Sequence, residues 1–228
     1  MSPVLDRRTR WVTGSAVALA LLFAGAATVA SARGDAAPPA PRTPSAESVD
    51  AGFARDMAVH HQQAVEMSFI VRDVTRDEDV RRLAYDIANT QANQRGMLLG
   101  WLDLWELPKT APEGQGPMAW MPGAHGGHGM RDMDGTQGMD HDGALMPGMA
   151  TRAELDRLRK ARGKDAEILF LRLMTHHHKA GLDMAHGCAQ QCAVPAERRL
   201  AAGMVAAQQS ELDLMADMLA ARGAPPLP

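Results

Sequence analysis

Phe53–Met67 reads FARDMAVHHQQAVEM, and 117 residues further along the chain Phe170–Met184 reads FLRLMTHHHKAGLDM. The aromatic, methionine and paired histidine positions coincide, and the match continues downstream in one register for about fifty residues. Within each stretch the apolar residues recur at steps of three and four, which is typical of an amphipathic helix. The sequence therefore contains two copies of one helical unit.

Each copy is predicted to hold two helices separated by a short break. The breaks fall at Thr75–Glu78 and at Ala193–Ala196, where Pro195 cannot continue a helix but can begin the next one. No convincing alternation of apolar and polar residues, the mark of strands, is found after the first 32 residues. We predict an all-α four-helix bundle over residues 49–222, built from two duplicated helical hairpins.

The first 32 residues are predicted to be a secretory signal peptide. Arginines precede an apolar run that ends in Ala30-Ser31-Ala32, a small-residue cleavage pattern. An uncleaved N-terminal anchor is the alternative, because the run is nearly long enough to span a bilayer, and only then would the membrane be a partner. In both cases the protein is expected to be secreted or in the cell envelope. Residues 33–48, rich in Pro and Ala, are predicted to be a flexible tether.

Composition and charge exclude some classes of function. A formal net charge of −3 and an isoelectric point near 6.3 argue against general nucleic-acid binding. The sequence shows no Ser/His/Asp set and no phosphate-binding glycine loop, so nucleophilic and nucleotide chemistry have no support. Methionine is unusually frequent, with 16 of 228 residues.

A long Met/His/Gly-rich connection, residues 108–150, separates the two copies. Its composition predicts a flexible segment without a core, followed by a helix that begins at the capping-box pattern of Thr151–Glu154. Thioethers and imidazoles in such a segment can bind Cu(I) and Cu(II), although a low-complexity linker is the alternative. The candidate ligands here are Met118, Met121, His125, His128, Met130, Met133, Met139 and His141.

The paired histidines are candidate ligands inside the bundle. The duplication predicts that His60 and His177 face one another, with a methionine one turn before each and another two turns after. Imidazole and thioether together favour copper, with Cu(I) preferred, while other transition metals stay possible. The alternative is a set of core histidines hydrogen-bonded to Gln or Glu. The candidate ligands are Met57, His60, His61, Met67, Met174, His177, His178, Met184 and Glu211.

Cys188 and Cys192 are the only cysteines and lie four residues apart. Two predictions stay open for this pair. In an exported chain the cysteines can form a disulfide where the helix ends before Pro195, or they can stay reduced as thiolate ligands for copper.

The doubled motif resembles the domain of unknown function 305 (DUF305) family over about Asp50 to Leu219. The resemblance implies a ferritin-like four-helix bundle in an exported protein, and the family includes CopM-like copper-binding proteins. The residues that carry it are Phe53-x-x-x-Met57-x-x-His60-His61-x-x-Ala64-x-x-Met67 with Gln91-x-x-Gln94, and Phe170 to Met184 with Gln208-x-x-Glu211. The second copy departs from the usual pattern by Gly181, in place of Ala64, and by a third histidine, His176.

Together these features predict an exported, non-catalytic copper-binding protein that sequesters or delivers the metal, with another copper-handling protein as a possible partner. The first alternative is a ferritin-like metalloenzyme acting on oxygen or peroxide. Di-iron bundles, however, need carboxylates from all four helices, which this motif lacks. The second alternative is an interaction module of the cell envelope that binds no metal.

Overall fold

The computed structural model describes residues 43–121 and 144–225. Within these ranges the protein consists of five α-helices and contains no strand, so the predicted all-α class is confirmed. Their bounds are α1 Val49–Val74, α2 Glu78–Leu104, α3 Arg152–Lys160, α4 Gly163–Gln191 and α5 Pro195–Ala221.

Local sequence signals explain where the helices begin. The side chains of Ser48 and Asp77 accept hydrogen bonds from the first turns of α1 and α2. Thr151 and Glu154 form the predicted capping box at α3, and Pro195 occupies the first turn of α5. Both predicted breaks therefore separate two helices of a hairpin.

The two hairpins, α1–α2 and α4–α5, pack against each other through α1 and α4. The start of α1 shares an apolar cluster with the end of α4, and the end of α1 shares a second cluster with the start of α4. These two helices are therefore antiparallel. Each cluster holds one methionine from α1 and one from α4, Met57 with Met184 in the first and Met67 with Met174 in the second.

A carboxylate near the start of each hairpin reaches the break of the other hairpin. Asp50 accepts hydrogen bonds from the backbone N–H groups of Ala193 and Val194, at 3.1 and 2.7 Å. Glu167, the equivalent of Asp50 in the second copy, accepts one from the Thr75 hydroxyl at 2.6 Å. These reciprocal contacts fix the register of the antiparallel pair.

The prediction that the connecting segment has no core is wrong at both of its ends. Met118, Met146 and Met149 are buried in the cluster at the start of α1, because the segment returns to the surface of that helix. Asp56 accepts hydrogen bonds from the backbone N–H of Met118 and from Trp120, and Gln63 exchanges two with Ala150. Apolar side chains in a Gly- and Pro-rich stretch thus gain burial from helices that lie far away in sequence.

Several predictions concern residues outside the described ranges. Outside the described ranges lie the predicted signal peptide, residues 1–32, and most of the tether, residues 33–48. The same is true of the candidate ligands His125, His128, Met130, Met133, Met139 and His141. None of the described helices is both long and apolar enough to cross a membrane.

Candidate metal site

Four histidines form a layer across the middle of the bundle, between the two apolar clusters. His60 and His61 come from α1 and His177 and His178 from α4, and all four are at most 1% exposed. We call these four residues the histidine layer. His61 and His178 are as deeply buried as His60 and His177, although each lies about 100° further around its helix.

Three of the four imidazoles use Nε2 for a hydrogen bond. His61 Nε2 lies 2.8 Å from Gln94 Oε1, His178 Nε2 lies 2.6 Å from Glu211 Oε2, and His177 Nε2 lies 3.0 Å from the backbone oxygen of His60. The carboxyl group of Glu211 and the backbone carbonyl of His60 are the acceptors, so Nε2 of His178 and of His177 donates. In a neutral ring, Nδ1 then presents a lone pair.

No described residue provides a hydrogen-bond partner for the Nδ1 atoms of these rings. Nδ1 of His61, His177 and His178 is buried without a hydrogen bond, and both ring nitrogens of His60 are in the same condition. A buried polar atom without a partner is costly, and an oriented histidine whose other nitrogen is hydrogen-bonded is the usual arrangement of a metal ligand. The layer therefore has the donor set that a metal ion would satisfy.

The rings of His60 and His177 stack across the interface between the hairpins. Their centroids are 3.7 Å apart with an interplanar angle of 29°. Burial, followed by the neighbouring histidines, holds the pKa of both well below the usual value, and burial lowers the pKa of His61 to about 3. Neutral imidazole is the form that binds metals, so these rings need not lose a proton first.

Gly181 makes room for His60 and Gln208. A methyl group at this position would lie 2.7 Å from Oε1 of Gln208 and 3.1 Å from Cε1 of His60. This contact explains why glycine replaces the Ala64 of the first copy. Gln208 and its equivalent Gln91 are both buried, and the amide oxygen of each lacks a hydrogen-bond partner.

Comparison with known proteins agrees with the doubled motif. The sequence profile of the domain of unknown function (DUF305) matches residues 50–219. The chain belongs to the DUF305 family. A DUF305 protein from Streptomyces coelicolor, provisionally described as secreted, is 55% identical with a TM-score of 0.68, covering 81% of this chain and 98% of its own. A DUF305 fragment from Deinococcus radiodurans is 27% identical with a TM-score of 0.59, covering 79% and 99%.

The DUF305 fold is also similar to that of CopM. The Cu(I)-bound form of CopM is 20% identical with a TM-score of 0.53, covering 75% of this chain and 94% of its own. CopM has also been solved with Cu(II) and with Ag. At this identity the likeness concerns the fold alone. No curated protein matches this chain by sequence.

The cysteine pair follows the first of the two predicted alternatives. Cys188 and Cys192 form a disulfide with their Cα atoms 4.7 Å apart, because α4 ends at Gln191 and the backbone turns away. Disulfide sulfurs offer no thiolate, so in this state neither residue is the copper ligand that the second alternative requires. Their role as ligands stays a prediction for the reduced chain.

A buried carboxyl group beside the disulfide was missed in the sequence. Glu197 is 0% exposed, and burial, then the negative charge of Asp50, raises its pKa to about 9. One signal existed, because in the repeat alignment Glu197 takes the position of Val80, a core residue of the first copy.

Proposed function

We propose that this DUF305 protein is an exported copper-binding protein that sequesters or delivers Cu(I) through the histidine layer. The observation that carries the proposal is the set of buried Nδ1 atoms left without a partner while Nε2 of the same rings is held by Gln94, Glu211 and a backbone carbonyl. Binding of copper by CopM, which has a similar fold, supports the proposal without assigning ligands here.

The flanking methionines favour copper over zinc or iron. Met57 and Met184 lie on one side of the layer and Met67 and Met174 on the other, and all four are at most 1% exposed. Thioether sulfur selects Cu(I), whereas the carboxylates of a di-iron centre are lacking. Within the described residues, no three donor atoms of His, Cys, Asp or Glu in this layer lie within 4.8 Å of one another. Cu(I) bound here would therefore combine imidazole with thioether.

The hydrogen bond between Glu211 and His178 argues against the metalloenzyme alternative. The Glu211 carboxylate, the acid that the sequence offered as a ligand, accepts the Nε2 proton of His178. It therefore orients a histidine rather than occupying a coordination position. The loop residues outside the described ranges are proposed as additional copper ligands, and a copper-handling protein as the partner.

The test is metal selectivity of the full exported chain, kept oxidised at the cysteines. The protein is exposed separately to Cu(I), Ag(I), Zn²⁺, Ni²⁺ and Fe²⁺, freed of excess metal and examined by elemental analysis. We expect retention of Cu(I) and Ag(I) at one or more equivalents per chain and little of the others. Equal retention of all five ions, or of none, would overturn the proposal.

A further inference from the structure

Three potential metal ligands meet where α4 turns into α5, at one end of the bundle. One ligand atom each from Cys188, Cys192 and Glu197 lies within 4.8 Å of the others, and all three residues are buried. Among the His, Cys, Asp and Glu side chains that the structure describes, no other group of three lies so close. This cluster is separate from the histidine layer.

The first copy of the repeat shows which side chains pack at the positions equivalent to this cluster. In the first copy the equivalent positions are Val71, Thr75 and Val80, which are likewise buried. A carboxyl group at a position where valine packs carries a desolvation cost unless something compensates it. Among the described residues, no N–H or O–H group donates to either oxygen of Glu197, and burial, followed by the neighbouring carboxyl group of Asp50, raises its pKa rather than stabilising its charge. The second copy thus holds three donor atoms that its core does not require.

The charge of the cluster selects the kind of ion. Once a metal ion has displaced their protons, two thiolates and the Glu197 carboxylate carry three negative charges, and the carboxylate of Asp50 lies beside them. Asp50 is occupied by the backbone N–H groups of Ala193 and Val194, so it adds charge without being free as a ligand. A buried site this negative favours a divalent ion over Cu(I), and the mixed sulfur and oxygen donors suit zinc.

We propose that reduction of the Cys188–Cys192 disulfide creates a divalent, zinc-type metal site formed by both thiolates and Glu197. An external dithiol gives two electrons and two protons to the disulfide and becomes a disulfide itself. The metal ion then displaces three protons, one from each thiol and one from the carboxyl group of Glu197, and these pass to solvent. In the reverse direction, an external disulfide accepts two electrons and two protons and becomes a dithiol, the Cys188–Cys192 disulfide forms again, and the ion is released.

The local backbone allows the ligands to reach a metal distance. Tetrahedral zinc needs its sulfur ligands about 3.8 Å apart, given Zn–S bonds of about 2.3 Å. Cys192 lies beyond the last helical residue of α4, so its side chain can move away from Cys188 once the bond is broken. Glu197, in the first turn of α5, already lies at the cluster.

The experiment compares the oxidised and reduced forms of the full chain. Reduction uses a phosphine, which takes oxygen from water and is removed before titration. Zn²⁺ is titrated against a chromophoric chelator, and Cd²⁺ is added separately to record the thiolate-to-cadmium absorption. We expect one additional equivalent of Zn²⁺ and a thiolate–cadmium band in the reduced protein only.

Glu197→Gln is the matched variant, because it keeps the shape of the side chain and both cysteines. In its reduced form we expect a Zn²⁺ affinity lower by about tenfold or more, with the helical circular dichroism unchanged. Equal zinc binding by the oxidised and reduced chains would overturn the proposal, as would a reduced Glu197→Gln variant that binds as tightly as the natural chain. Neither result bears on copper binding at the histidine layer.

Discussion

The two hairpins carry the same residues at the histidine layer and use them differently. His177 donates its Nε2 proton to the backbone oxygen of His60, yet His60 makes no hydrogen bond through either ring nitrogen. Gln94 in the first hairpin is replaced by Glu211 in the second, each holding the histidine of its own hairpin. Duplication therefore sets the positions of the rings, while the contact across the interface leaves both ring nitrogens of His60 but only Nδ1 of His177 without a partner.

The largest expected effect is a loss of folding stability at low pH, because both hairpins bury neutral histidines. His60, His61 and His177 have lowered pKa values in the folded protein, whereas in the unfolded chain they titrate near 6.5. As the pH falls below 6.5, the unfolded chain binds protons that the folded chain excludes, so stability is lost. Each histidine contributes up to about 1.4 kcal/mol per pH unit to this loss.

Denaturant unfolding of the metal-free protein between pH 7 and pH 4.5 measures the effect. Glu197 acts in the opposite direction, because its raised pKa stabilises the fold at low pH and that stabilisation is lost as the pH rises towards about 9. Glu197 offsets the contribution of only one of the three histidines, so the folded protein still loses stability as the pH falls. We expect a His60→Leu, His177→Leu double variant to show a shallower slope by up to about 2.8 kcal/mol per pH unit. An unchanged slope would mean that these rings are not buried as neutral groups.

The next effect separates histidines with and without a hydrogen-bond partner. His178→Leu removes the donor of Glu211 and should cost about 1–2 kcal/mol at pH 7.5. His60→Leu removes no side-chain hydrogen bond and should be neutral or stabilising. The free energies of unfolding of the two metal-free variants, compared with the natural chain, measure the difference. If His60→Leu is the more destabilising of the two, the asymmetry described above does not hold.

Gly181 tests the close approach that only the second hairpin allows. Gly181→Ala places a methyl group against Gln208 and His60, whereas Gly203→Ala, on α5, meets nothing within 4 Å. We expect Gly203→Ala to stabilise the protein by about 0.5–1 kcal/mol through helix propensity. Gly181→Ala should lose that gain and lower the Cu(I) affinity. Equal stabilisation by both substitutions, with unchanged copper affinity, would contradict the contact.

The smallest effect on stability is expected from the connecting segment. Replacing residues 122–143 with a short Gly/Ser linker leaves the buried Met118, Met146 and Met149 in place. Helical content and unfolding free energy should change little, while the number of Cu(I) equivalents should fall. Circular dichroism and elemental analysis test both statements. An unchanged copper content would make this part of the segment a linker.

The sequence predicted the positions of the helices better than the tertiary contacts between them. The repeat register placed the apolar face from Phe53 to Val71, and Thr151 and Pro195 marked helix starts, since these signals are local. The burial of His61 and His178 depends on how two hairpins meet, which helical spacing within one hairpin does not determine. Met118 was assigned to a coreless segment because Asp56, the helical residue that accepts its backbone hydrogen bond, lies 62 residues away in sequence.

The account depends on the histidine layer as a metal site. The most direct test is a Cu(I) competition titration of the oxidised protein lacking residues 122–143, with and without His60→Leu and His177→Leu. His186→Ala, an exposed histidine outside the layer, is the matched control. We predict that the double variant loses the remaining Cu(I) equivalent or binds it at least about tenfold more weakly, while the control is unchanged. Equal Cu(I) stoichiometry and affinity in all three proteins would contradict the account.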